Sequence, residues 1–88
     1  MKIKEMKVGE VFASQVDGHL LFVKVVSVFA NATIVDSICL DLATEKYGKT
    51  LNHREHGCVF VIINPEVWDK ARKLLTNYKN GVNELMNM

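Results

Sequence analysis

From residue 8 to residue 63 the apolar positions fall in short, dense runs broken by turn-forming pairs, which is the rhythm of strands. Residues 8–16 read as a first short strand. Asp17-Gly18 follows, a dipeptide suited to the tight hairpin turn whose central residues both need positive φ. Residues 19–29 are dominated by Val, Leu and Phe and predict a second strand. Residues 33–43 predict a third with two distinct faces. Ile34, Ile38, Leu40 and Leu42 lie on one, and Val35, Ser37, Cys39 and Asp41 on the other. A turn centred on Gly48 is expected over residues 44–49, then a weaker strand over 50–54 and a tight turn at Gly57. Residues 58–63, apolar on both faces, predict a last strand buried between two layers. Five short strands joined by tight turns suggest a small closed or half-closed barrel.

At residue 64 the period changes. Asn64 is a good cap, Pro65 suits the first helical position, and Glu66 complements the positive end of the helix dipole. Val67, Ala71, Leu74, Leu75 and Tyr78 recur at helical spacing with Trp68 at the edge of the stripe, which predicts an amphipathic helix over 65–80. Gly81 is expected to end or kink it. If the helix runs on to about residue 87, Val82, Leu85 and Met86 extend the same stripe. The second strand gives the helix something to cover. Leu20, Phe22 and Val26 share one face and Leu21, Val23 and Val25 the other, so both faces of that strand are apolar. A small barrel has one interior, and the helix is the natural cover for the second face. A homodimer, through this helix or through strand edges, is the alternative.

Composition bounds the rest. Eighty-eight residues make one domain, and 49% hydrophobic with 24% charged is ample for a packed core. Eleven Lys+Arg against ten Asp+Glu leave a net charge of +1, without the basic excess expected of a nucleic-acid binder. Two cysteines, Cys39 and Cys58, are too few for a disulfide framework and fit reduced thiols in the cytoplasm. The opening residues lack the apolar core of a signal peptide. The longest apolar run, residues 20–29, is broken by Lys24 and Ser27 and is far short of the ~20 residues that span a bilayer.

The strand pattern resembles a group of small, mostly phage-encoded proteins built on an SH3-like barrel. The matching elements are Gly9-Glu10-Val11-Phe12, then Phe22-Val23-Lys24, then Asp41-Leu42-Ala43-Thr44, over about residues 8–63. Ile38-Cys39-Leu40 stands where members of the group carry Asn-Ala before the Asp-Leu pair, and the glycine expected after Thr44 is delayed to Gly48. The resemblance implies a five-stranded SH3-like barrel, here covered by the C-terminal helix. It assigns no catalytic residue. It points to a phage protein in the host cytoplasm that binds and modulates a host protein.

Three sets of residues are candidates for chemistry or contact. His53, His56 and Cys58, with Cys39 or His19 as a fourth ligand, have the donor types of a zinc site. In extended chain, however, His53 and His56 point to opposite sides, while His56 and Cys58 share one. The plainer reading is a solvated hairpin leading into a buried strand. A Cys–His nucleophile needs a third, orienting group, and nothing in the sequence marks one. The second set is basic. Lys70, Arg72, Lys73 and Lys79 lie near Trp68 and Tyr78, while Lys46, Lys49 and Arg54 flank the third turn. Asp36, Asp41, Glu45, Glu55, Glu66 and Asp69 are interspersed with them, which argues for a solvated face over a nucleic-acid groove. The third is the apolar face of the helix, whose Trp68 and terminal Met86 and Met88 suit an adaptable interface when not packed on the barrel. The expectation is therefore a non-enzymatic, cofactor-free protein that works by protein–protein contact. Its contact candidates are Trp68, Arg72, Tyr78, Lys46, Tyr47, Lys49 and Arg54. Nucleic-acid binding is the alternative and a metal or thiol protein the third reading.

Overall fold

A computed structural model describes residues 3–54 and 59–86, with helix side chains described as far as Tyr78. After a short 3-10 turn at Ile3–Glu5 come β1 (Val11–Val16), β2 (His19–Val28), β3 (Ala32–Cys39), β4 (Thr44–Asn52), β5 (Val61–Ile63) and α1 (Glu66–Met86). The strands form one antiparallel sheet in the order β4-β3-β2-β1-β5. Four of them make a meander, and β5 returns to the free side of β1, where Val11 pairs with Ile63 and Ala13 with Val61. Among the described residues β4 and β5 stand at opposite edges and do not pair. The sheet is open, where a closed barrel is one of the two forms the sequence suggested. No helix is long and apolar enough to cross a membrane among the described residues.

Cross-strand pairing fixes which side chains share a face. Phe12, Val23, Val25, Val35 and Leu51 gather on one face, capped by Ile3 and Met6 from the N-terminal turn and by Phe60. Val11, Ile38, Phe22 and Ile63 gather on the other, under Trp68, Ala71 and Leu75 of α1. The two-sided apolar character of the second strand therefore has the meaning the sequence suggested, and α1 covers one of the two faces. Trp68 sits at the centre of that contact at 3% exposure, rather than at the edge of the stripe. Asn64 accepts a hydrogen bond from the Glu66 amide at 3.0 Å, which is the expected cap and is worth about 1 kcal/mol.

Several boundaries differ from the sequence reading, and the first strand begins at Val11 rather than at residue 8. The third strand stops at Cys39, and the chain turns at residues 40–43, where Ala43 takes a φ of 50°. Leu40 and Leu42 hid this turn by continuing the apolar alternation. β4 begins at Thr44 and runs straight through the residues expected to turn around Gly48. There the strand bulges: Val35 pairs with Lys49 and Ser37 with Lys46, so Tyr47 and Gly48 together oppose Asp36. Gly48 has a φ of 66°, which glycine adopts without the clash a Cβ would meet, and its amide donates to Asp36 Oδ1 at 3.1 Å. β5 is shorter than predicted and pairs with one neighbour, so it is an edge strand rather than one buried between layers. Val61 and Ile62 are each 57% exposed. Finally, α1 continues through Gly81 to Met86, the longer of the two lengths that the sequence allowed. At 21 residues it is about 32 Å long. The Cα radius of gyration is 14.2 Å, against about 12 Å for a compact chain of this length.

Candidate functional site

The two hairpins at one end of the sheet build a cleft. Asp17 and Gly18 turn β1 into β2 with φ values of 52° and 81°, the left-handed pair the Asp-Gly dipeptide favours. Residues 40–43 turn β3 into β4 beside it. His19 Nδ1 lies 3.4 Å from Asp41 Oδ2 and ties one hairpin to the other. This pair is exposed and contributes less than about 1 kcal/mol, so it sets position more than stability. Below it lies a hollow of about 240 Å³ lined by Val16, Leu21, Cys39 and Leu42, with Ser37, Thr44, Lys46 and Lys49 along the β3–β4 side and Asp17 and His19 at the rim.

The bulge determines which way the lysines point. Lys46 and Lys49 are three residues apart, and a regular strand would send them to opposite faces. With Tyr47 and Gly48 opposing one residue, Lys46 pairs with Ser37 and Lys49 with Val35, so both belong to the concave face. Neither ammonium lies in an ion pair among the described residues. Cys39 is a buried free thiol on this same face, directly across from Leu21 and Thr44.

The other candidates are distributed elsewhere. His53 stands at the opposite end of the sheet, where its Nε2 lies 2.9 Å from the buried hydroxyl of Thr33. The same hydroxyl lies 3.4 Å from the Ile3 carbonyl, and the two contacts tie β4, β3 and the N-terminal turn together. Thr33 and Cys39 are six residues apart along β3, about 20 Å at strand rise. His53 and Cys39 therefore cannot share one metal ion, since each ligand must lie within about 2.3 Å of it. His56 and Cys58 lie outside the described residues. Among the described residues no group of three His, Cys, Asp or Glu side chains is placed to hold a metal.

Arg72 reaches back from α1 to β4, its Nε 3.3 Å from Glu45 Oε1. Tyr47 donates its hydroxyl to the same carboxylate oxygen, and this hydrogen bond, more than any other influence, raises the tyrosine above its usual pKa. Arg72 thus clamps the helix to the sheet, while Tyr47 holds the carboxylate that receives it from within β4. Trp68 packs inside the helix–sheet core, in keeping with the plainer reading of that face. Tyr78 is exposed at 61%, and so is Leu74, one turn earlier, at 59%. Arg54 lies just past β4, its amide donating to Asn52 Oδ1 at 2.9 Å. It lines a second hollow of about 300 Å³ with Lys4, Phe29, Asn31 and His53. A third, of about 290 Å³, lies between the ends of β1 and β2 and Val59 and Val61. There Ser14 keeps a buried Oγ without a hydrogen-bond partner among the described residues.

Sequence reasoning named Lys46, Lys49 and Cys39 but not their meeting, and it missed Ser37, Thr44 and Leu21 as neighbours of one cleft. The signal that unites them is the long-range register of β2, β3 and β4, which no local pattern carries. Comparison with family models, with curated proteins and with solved structures finds no match.

Proposed function

We propose that the chain is a non-enzymatic binding protein that works by contact with another protein, on a framework akin to an SH3-like barrel with its outer strands apart. The observation that carries this is the flank of α1. The helix spends Trp68, Ala71 and Leu75 on the sheet yet keeps Leu74 and Tyr78 exposed on the adjoining side, one turn from each other. A helix whose apolar stripe is wider than its own core uses has the form of an element that lies in a partner's groove. Apolar edge residues Val61 and Ile62 add to the exposed surface. A phage protein that modulates a host protein is the concrete version suggested by the sequence resemblance.

The test is affinity capture from a lysate of the source cells with full-length protein, with and without nuclease. One defined protein retained in stoichiometric amount after nuclease treatment is the expected outcome. Nucleic-acid binding has its own support in Phe29, exposed beside Lys4 and Arg54. It requires the opposite result: retained material that nuclease removes, with affinity falling steeply as salt rises.

A further inference from the structure

We propose that the cleft beneath the two hairpins binds the carboxylate of a small apolar acid, with Lys46 and Lys49 holding the head group. The inference does not depend on the helix flank and concerns a different surface. Three observations on the concave face support it. The floor is apolar, made by Leu21 and the buried Cys39, with Val16 and the exposed Leu42 of the two hairpins beside them. The β4 wall carries two ammonium groups that the bulge turns to the same face, and neither is neutralised by an ion pair among the described residues. Between floor and wall, Ser37 and Thr44 supply hydroxyl donors, Ser37 directly across from Lys46 and Thr44 across from Cys39.

Charge and size narrow the ligand. Asp17 at the opposite rim and Asp41, paired with His19, stand against a multiply charged anion such as a phosphate ester. A single carboxylate placed at the lysine wall keeps away from both. The hollow of about 240 Å³ is just below the roughly 300–1,000 Å³ usual for drug-sized ligands. It therefore admits a head group and a short apolar chain, not a bulky one. Asp36 orients the whole arrangement from behind, because its carboxylate holds the Gly48 amide and with it the bulge.

The probe is hexanoate. Uniformly ¹⁵N-labelled full-length protein is titrated with sodium hexanoate, with hexylammonium chloride and with sodium chloride at matched ionic strength, and amide shifts are followed. Hexanoate should shift the amides of Leu21, Ser37, Cys39, Lys46 and Lys49 in a saturable way, while hexylammonium and chloride should not. The K46M/K49M variant, whose changes are both at exposed positions, should keep the dispersed spectrum of the folded protein and lose at least tenfold in hexanoate affinity. A parallel arm compares a short peptide ending in free Leu carboxylate with its amide. Tighter binding of the free-acid peptide than of hexanoate would support the site and assign the carboxylate to a chain end. Absence of saturable shifts with every carboxylate, shifts confined to other regions, equal response to hexylammonium, or unchanged affinity in K46M/K49M would each overturn the proposal.

Discussion

Phe12→Ala should lower the stability of the folded chain by about 3–5 kcal/mol, a large part of the roughly 5–15 kcal/mol available to a domain. Phe12 is fully buried on β1, flanked across the sheet by Val23 on β2 and Ile62 on β5. Its ring meets that of Phe60 edge-on, with centroids 6.4 Å apart and an interplanar angle of 82°. Truncation removes the buried area and the aromatic pair, and it leaves a void between Val25, Met6 and Ile3 that a β-sheet cannot close by shifting one strand. Urea unfolding should show a much lower midpoint with the slope unchanged, and the melting temperature should fall by about 12–40 °C at roughly 4–8 °C per kcal/mol. A loss of under about 0.5 kcal/mol, the scale of an ordinary surface change, would show that Phe12 is not the centre of this core.

Trp68→Ala should cost a similar amount, about 3–5 kcal/mol, through the opposite face of the sheet. The indole is buried against Val11 and Ile38 with Ala71 and Leu75 beside it, and it is the main wedge between helix and strands. Losing it leaves α1 held by smaller side chains and by the Arg72–Glu45 pair, whose exposed arginine limits it to about 1 kcal/mol at most. Trp68 is the chain's single tryptophan, so the wild-type protein carries its own reporter. Its emission should be blue-shifted and resistant to iodide, and both properties should vanish on unfolding. Tyr78→Ala, three turns later on the exposed flank, should change stability by less than about 0.5 kcal/mol. An iodide-accessible tryptophan in the folded protein, or a Tyr78 effect equal to that of Trp68, would place the wrong side of the helix against the sheet.

The features legible in the sequence are those written in a few neighbouring residues. Asp17-Gly18 specifies a tight hairpin because both positions must take positive φ. Asn64-Pro65-Glu66 starts a helix because cap, fixed φ and dipole all agree. The mainly β character and the helix cover over a second apolar face were also readable. What escaped depends on pairing. Gly48 with charged neighbours looks like a turn, and only the opposing β3 makes it a bulge. Leu40 and Leu42 look like strand until His19 and Asp41 show two hairpin loops side by side. The face of β3 that reads as the more polar one, with Ser37 and Cys39, is the concave face, and both residues are buried there. Likewise Lys46 and Lys49 read as flanks of a turn, and the cleft they share exists through the register of three strands.

The proposed separation of a folding side from a contact side on α1 is tested most directly by the double variant L74E/Y78E. Both positions are exposed, so its unfolding free energy should stay within about 0.5 kcal/mol of wild type and its tryptophan emission should be unchanged. Capture of the protein partner, measured side by side with wild type, should fall by at least tenfold. Full retention of the partner by a folded L74E/Y78E protein would contradict the assignment of this flank as the contact surface.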